Sequence, residues 1–172
     1  MSIDTSELEA AGRAVSMAAA AGGLRGRAQI GKRWEATQVL AHLVAANRNA
    51  AELAARVLAG AESATFTNQA ALEDTYLEAI VRAAARGGIL EEFERSTAVL
   101  TATCAALEGK ALETPVEARL WDDGAVVFEQ TVPLAQVLAI VRGHMEGHAA
   151  QLQELGSAHK GERRLALHVF PG

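Results

Sequence analysis

The sequence is poor in the residues that mark several protein classes. It has one cysteine, three prolines and 4% aromatic residues among 172 positions. The single cysteine, Cys104, excludes an internal disulfide, and its apolar surroundings predict a small core side chain rather than a nucleophile. Few prolines and many alanines favour helices. With so few aromatic residues, the core must consist of Ala, Leu and Val between closely packed helices.

The chain also lacks a strong positive charge and long hydrophobic runs. Its formal net charge of −5 and its pI of about 5.5 argue against nucleic-acid binding, which requires a clustered basic surface. No segment approaches the roughly 18 uninterrupted apolar residues of a membrane span. Acidic residues stand where a signal peptide would be basic, at Asp4, Glu7 and Glu9. We therefore expect a cytoplasmic protein that binds neither membranes nor nucleic acids.

Most of the chain has helical periodicity. Apolar residues recur every three or four positions in five segments, namely residues 4–21, 34–59, 70–86, 89–107 and 134–155. The third and fourth segments are either one broken helix or two consecutive helices. Gly156 is predicted to end the last helix, and residues 60–68 are predicted to be a short polar connection.

The pattern changes between the third and last helices. Residues 116–121 and 125–132 predict two strands joined by an Asp-Gly turn. The tail at residues 163–170 alternates enough to predict a third short strand. We therefore expect residues 1–172 to form a single mainly α domain, a four-helix bundle with a small β-hairpin or short sheet before the last helix.

Three histidines are the candidate functional residues. His144 and His148 are four positions apart on the last predicted helix, so both imidazoles lie on one face. His42 lies on the second helix. Five histidines can give such spacing by chance, but imidazoles aimed into Ala- and Leu-rich surfaces would lack partners. Three imidazoles leave coordination positions open, as in catalytic metal sites. The two helices must then be neighbours, and His159 and His168 in the tail are not expected to be ligands.

The helix motif of zinc proteases is a different arrangement. In that motif a general-base Glu directly follows the first His. Here Met145 follows His144, and Glu146 is turned about 200° away from His144 around the helix. A protease of this type is therefore excluded.

Two segments of the chain resemble the DinB-like superfamily. Residues 34–50 begin with Trp34 and contain a Val-Leu-Ala-His-Leu core, which resembles the metal-binding segment of that superfamily. The Gly-His-Met-Glu-Gly-His stretch at residues 143–148, with Gln-Leu at residues 151–152, resembles its closing motif. Within that superfamily, residues 34–60 are especially similar to mycothiol-dependent maleylpyruvate isomerases. The resemblance implies a four-helix bundle, often a homodimer, that binds a divalent metal through His42, His144 and His148.

The expected function is a metal-dependent thiol transferase or isomerase. A bound divalent ion, such as Zn or Ni, would favour the thiolate of mycothiol or another low-molecular-weight thiol, which then attacks an electrophilic small molecule. We expect Arg25 and Arg27 to orient the thiol cofactor and Trp34 to contribute to its pocket. The simplest interpretation of Trp34 and Trp121, however, is that they are packing anchors. The alternatives are a metal-dependent hydrolase, for which no general base is evident, and a non-catalytic metal-binding interaction or sensor module.

Overall fold

The computed structural model describes residues 4–22, 24, 34–84 and 88–167, with side chains as far as residue 157. The helices are α1 (Thr5–Gly22), α2 (Ala36–Leu58), α3 (Asp74–Ala83), α4 (Ile89–Ala105) and α5 (Leu134–Leu167), and the strands are β1 (Ala64–Thr67), β2 (Pro115–Asp122) and β3 (Ala125–Pro133). Short 3-10 turns lie at Gln69–Leu72 and Gly109–Glu113. The described part of the chain is thus mainly helical with a small sheet, as predicted.

Close packing through small side chains holds the long helices together. Helix α1 contacts α4 and α5, and α2 contacts α3, α4 and α5. Where α1 meets α4, a Cβ on Gly12 would lie 2.6 Å from Cγ2 of Thr97, so glycine allows the helices to approach this closely. Buried Ala, Leu and Val residues from every helix join in one core. This is the core that the aromatic-poor composition predicts.

The start of α2 is fixed by hydrogen bonds around Glu35. The backbone N–H of Glu35 donates to Oε1 of Gln38 at 3.0 Å, and the N–H groups of Gln38 and Val39 donate to the Glu35 carbonyl. These bonds satisfy backbone groups that a helix end would otherwise leave without partners. The helix therefore begins just after Trp34, and His42 follows about two turns later.

The sheet has the order β1-β2-β3, with β1 parallel to β2 and β2 antiparallel to β3. The predicted hairpin is confirmed, and its turn has positive φ angles of 48° at Asp123 and 81° at Gly124, as an Asp-Gly turn requires. The two central segments are separate helices, because α3 ends at Ala83 and α4 begins at Ile89.

The predicted third strand at residues 163–170 is wrong. Residues 163–167 belong to α5, and residues 168–170 lie outside the described part of the chain. The third strand is instead β1, within residues 60–68, which were predicted to be a polar connection. Its four residues do alternate between buried and exposed positions, but so short a segment gives little periodic signal. Its pairing with β2 is also non-local in sequence.

The prediction that Gly156 ends the last helix is also wrong, since α5 continues to Leu167. A Cβ on Gly156 would lie 2.7 Å from the Cα of Gly22. The backbones of α1 and α5 therefore touch at these two glycines. Gly156 serves close packing inside a helix, a role that sequence alone does not separate from termination.

Candidate metal centre and adjacent cleft

The three predicted histidines lie together between α2 and α5. Nε2 of His42 is 2.8 Å from Nε2 of His144, which is 3.0 Å from Nε2 of His148. One ring nitrogen from each residue lies within 4.8 Å of the others. The contact between α2 and α5 that this arrangement needs is present. That the group binds a metal remains a prediction.

Hydrogen bonds on the far side of two rings decide which nitrogens face the centre. Nδ1 of His42 lies 2.7 Å from the carbonyl oxygen of Ala71. Since a carbonyl can only accept, Nδ1 carries the proton and donates it. Nδ1–H of His148 donates in the same way to Oε1 of Gln151 at 2.7 Å. In a neutral imidazole only one nitrogen is protonated, so both residues turn the lone pair of Nε2 inward.

Burial keeps the three imidazoles uncharged at neutral pH. It lowers the pKa of His42 to about 4 and that of His144 to about 2, and it also holds the pKa of His148 below its ordinary value. Removing an imidazolium from water is costly, which favours the neutral ring. The site therefore offers neutral nitrogen ligands at physiological pH without first losing protons.

Trp34 packs on the outer side of the group. The centroid of its ring lies 4.6 Å from that of His42 and 6.4 Å from that of His148. His42 itself is 2% exposed. Trp34 thus packs against a histidine and also borders the adjacent cleft. It therefore has both of the roles considered from the sequence, that of a packing residue and that of a pocket residue.

A cleft of about 670 Å³ opens beside His148. Trp34, Trp121 and Gln151 line it together with His148. Its polar lining also includes Gln69 and four carboxylates, contributed by Glu73, Asp74, Asp122 and Asp123. The cleft gives small molecules a route to one edge of the histidine group.

The position of Trp121 depends on Asn68, which follows β1. The side-chain Nδ2 of Asn68 donates to the carbonyl of Trp121 at 2.9 Å, and the N–H of Trp121 donates to Oδ1 of Asn68 at 2.8 Å. One amide side chain therefore extends the pairing of β1 with β2 and fixes Trp121 at the cleft, where the register of β2 and β3 is irregular. The guanidinium of Arg119 lies 5.0 Å from the ring centroid of Trp121.

Not all predicted residues can be located. Arg25 and Arg27, expected to orient a cofactor, lie outside the described residues, as do His168 and the side chain of His159. Cys104 is fully buried, and burial raises the pKa of its thiol to about 11. The prediction that Cys104 is a core residue is confirmed.

The predicted orientation of Glu146 agrees with the structure. Its side chain is exposed, and its Oε1 lies 3.6 Å from Nε of Arg142 on the same helix. The structure also adds residues whose roles the sequence did not reveal. Gln151 is a hydrogen-bond partner of His148 that the i, i+3 spacing could have revealed. No single sequence segment indicates that the Ala71 carbonyl accepts a hydrogen bond from His42, or that several carboxylates line one cleft.

Comparison with known proteins identifies no relative. No protein-family model matches the chain, and no curated protein or solved structure matches it either. Within the described residues, no helix combines the length and the hydrophobicity that crossing a membrane requires.

Proposed function

We propose that this protein is an enzyme that binds a divalent metal ion through His42, His144 and His148 and transfers a low-molecular-weight thiol to electrophilic small molecules. The proposal rests mainly on one observation. Three uncharged imidazoles lie together beside an open cleft. Such a ligand set keeps the positive charge of an ion undiminished and leaves coordination positions for other groups.

The hydrogen-bonding groups of the site support a cation at its centre. Nε2 of His144 lies within hydrogen-bond distance of both other Nε2 atoms. If Nε2 of His144 carries a proton, it can donate a good hydrogen bond to only one of the two inward lone pairs, those of His42 and His148. A metal ion, in contrast, would accept the lone pairs of all three nitrogens. The acceptors at Ala71 and Gln151 are the type of outer partner that orients metal-binding histidines.

The nucleophile must come from outside the protein. A divalent ion at this site would supply the charge that favours a thiolate over a thiol at neutral pH. Cys104 cannot take this role, because it is buried and its pKa is raised. In the proposed transfer, the thiol sulfur bonds to the electrophilic carbon, and the leaving group departs with the bonding electrons. The thiol proton passes to water. An isomerase reaction would release the thiol again.

The cleft favours one second candidate, a metal-dependent hydrolase. Sequence alone gave no general base for such a reaction, but Glu73 and Asp74 line the same cleft as His148. A carboxylate near an activated water is the usual arrangement in metal-dependent hydrolysis. Turnover of a simple ester without added thiol would favour this reaction.

We further propose a DinB-like four-helix bundle built from α1, α2, α4 and α5. Its support is the ring of contacts in which α1 touches α4 and α5, and α2 touches the same two helices. Mycothiol is the proposed thiol, because residues 34–60 resemble mycothiol-dependent enzymes.

We propose that the bundle forms a homodimer. Exposed apolar residues on α1 and α4, Met17 at 74% and Val99 at 54%, are consistent with helix faces that pack against a second copy. Light scattering that shows only an 18.0 kDa species at micromolar concentration would contradict the dimer.

Elemental analysis and cobalt spectroscopy test the proposed function. The purified protein should carry about one divalent ion per chain, and His148→Ala should lose most of it. Gly147→Ala is the matched control, since nothing lies within 4 Å of the added Cβ. In the cobalt-loaded protein, a thiol should produce sulfur-to-metal charge-transfer absorption. Equal metal content in the two variants would rule out His148 as a metal ligand and with it the proposed metal site. A cobalt spectrum that no thiol changes would rule out the proposed thiol transferase.

A further inference from the structure

Two side chains on one face of α2 hold the same stretch of backbone. His42 and Asn49 are seven residues apart, which places them two helical turns apart on one side of the helix. Nδ1 of His42 donates to the carbonyl of Ala71 at 2.7 Å, and Nδ2 of Asn49 donates to the carbonyl of Thr67 at 2.6 Å. Residues 67–71, which we call the connecting segment, are therefore attached to α2 at both ends.

A second set of hydrogen bonds joins the connecting segment to the sheet. The N–H of Ala71 donates to the carbonyl of Asn68 at 2.9 Å, at the start of the 3-10 turn. The amide of Asn68 in turn holds the backbone N–H and carbonyl of Trp121. Because Asn68 and Ala71 belong to one turn, a displacement of that turn relative to α2 would move both the acceptor of the His42 ring and one wall of the cleft.

Side-chain packing does not by itself fix the connecting segment against α2. A cavity of about 70 Å³ is bordered by Ala46 and Asn49 on α2 and by Phe66 and Asn68 around the end of β1. Where apolar contact is incomplete, directional hydrogen bonds determine distance and orientation. The bonds to Trp121 fix the segment relative to β2, whereas Asn49 ties it to the helix that carries His42.

We infer that Asn49 is a positioning residue of the candidate metal centre. By holding the connecting segment, its amide sets the distance between the His42 ring and the Ala71 carbonyl, and thereby the direction in which Nε2 of His42 points. The same contact sets the place of Trp121 in the adjacent cleft. The effect on metal affinity rests on the proposed function, while the effects on His42 and Trp121 are properties of the metal-free protein.

Asn49→Asp tests the inference because it changes the chemistry of the contact and keeps its shape. A carboxylate cannot donate, so two oxygens would face each other at the 2.6 Å of the present hydrogen bond. The connecting segment should therefore move away from α2. Gln153→Glu is the matched control, since it makes the same amide-to-acid change at an exposed position on α5.

Nitrogen-15 NMR of the metal-free protein at pH 7.5 measures the two expected displacements. The Nδ1–H proton of His42 and the backbone N–H proton of Trp121 should each exchange with water about tenfold faster in Asn49→Asp than in the wild type. Both should keep wild-type rates in Gln153→Glu. The backbone N–H of Met145, in the middle of α5, should be unaffected in either variant, which separates a local displacement from a general loss of stability.

Metal affinity is compared in Asn49→Ala, because an added carboxylate would itself attract a cation. This variant removes the donor without adding charge, and it also replaces Asn49→Asp in the exchange measurement if that protein does not fold. Chelator competition should show metal binding about tenfold weaker than in the wild type and unchanged binding in the control Gln153→Ala. Wild-type exchange of both protons in a folded Asn49 variant would overturn the inference, as would equal acceleration at Met145.

The outcomes separate this inference from the proposed function. If the wild type binds no divalent metal, the proposed function is wrong, and the exchange rates still decide whether Asn49 positions the His42 ring. If the wild type binds metal while the Asn49 variants match their controls in exchange and in affinity, the positioning role is wrong and the proposed function stands.

Discussion

Acid should destabilise the metal-free protein through His42. Burial places the pKa of His42 at about 4 in the folded protein, against an ordinary value of 6.5. The unfolded chain therefore binds this proton more tightly than the folded chain does. The stability that His42 contributes as a neutral residue is fully present above about pH 6.5. It is lost progressively as the pH falls from 6.5 towards 4.

The size of the effect follows from the two pKa values. At pH 7.5 the imidazole of His42 is mostly neutral in both the folded and the unfolded protein. Its protonation therefore changes the free energy of unfolding very little at this pH. At pH 5.0 the unfolded imidazole is mostly protonated while the folded one is mostly neutral. Between these two values the free energy of unfolding should fall by about 2 kcal/mol on account of His42.

Urea unfolding of chelator-treated protein at pH 7.5 and 5.0 measures this loss. The matched variant is His42→Gln, whose amide can still donate to the carbonyl of Ala71 but does not titrate. The wild type should lose about 2 kcal/mol more than the variant over this interval, since the other acidic and basic groups are common to both. Parallel pH dependence of the two proteins would show that His42 is not held neutral by burial.

Three further outcomes are expected. Gly156→Ala should destabilise the fold by about 1–3 kcal/mol, because its Cβ meets the Gly22 backbone. Gly143→Ala, at an open position on the helix surface, should be neutral or stabilising by up to about 1 kcal/mol. Equal free energies of unfolding of the two variants in urea would contradict the close contact between Gly156 and Gly22. Gln151→Leu should weaken metal binding about tenfold or more in chelator competition by removing the acceptor for His148 Nδ1–H, whereas unchanged affinity would show that this acceptor does not orient the ring. Cys104 should remain unmodified by iodoacetamide in the folded protein at pH 8, as intact mass would show, because it is buried with a raised pKa; rapid alkylation would mean that α4 opens readily.

Local sequence information explains which parts of the site were predictable. His144 and His148 lie on one face because any helix places residues four apart there, and the apolar periodicity around them is strong enough to predict that helix. His42 follows by the same reasoning on α2. The hydrogen-bond acceptor of His42, the Ala71 carbonyl, could not be predicted in this way. It belongs to a backbone turn whose position depends on the packing of the whole chain. A side-chain pattern carries no signal for such an acceptor.

The acidic lining of the cleft is likewise a property of the tertiary structure. Glu73 and Asp122 are far apart in sequence, and neither is part of a long acidic run, so a net charge of −5 does not indicate where acidic residues come together. The fold brings them together because Asn68 fixes Trp121 beside the turn that leads into α3. The basic residues Arg25, Arg27, Lys32 and Arg33, by contrast, lie within nine positions of one another and are therefore easy to recognise in the sequence. This difference explains why Arg25 and Arg27 could be recognised from the sequence, while the acidic lining of the cleft is evident only from the fold.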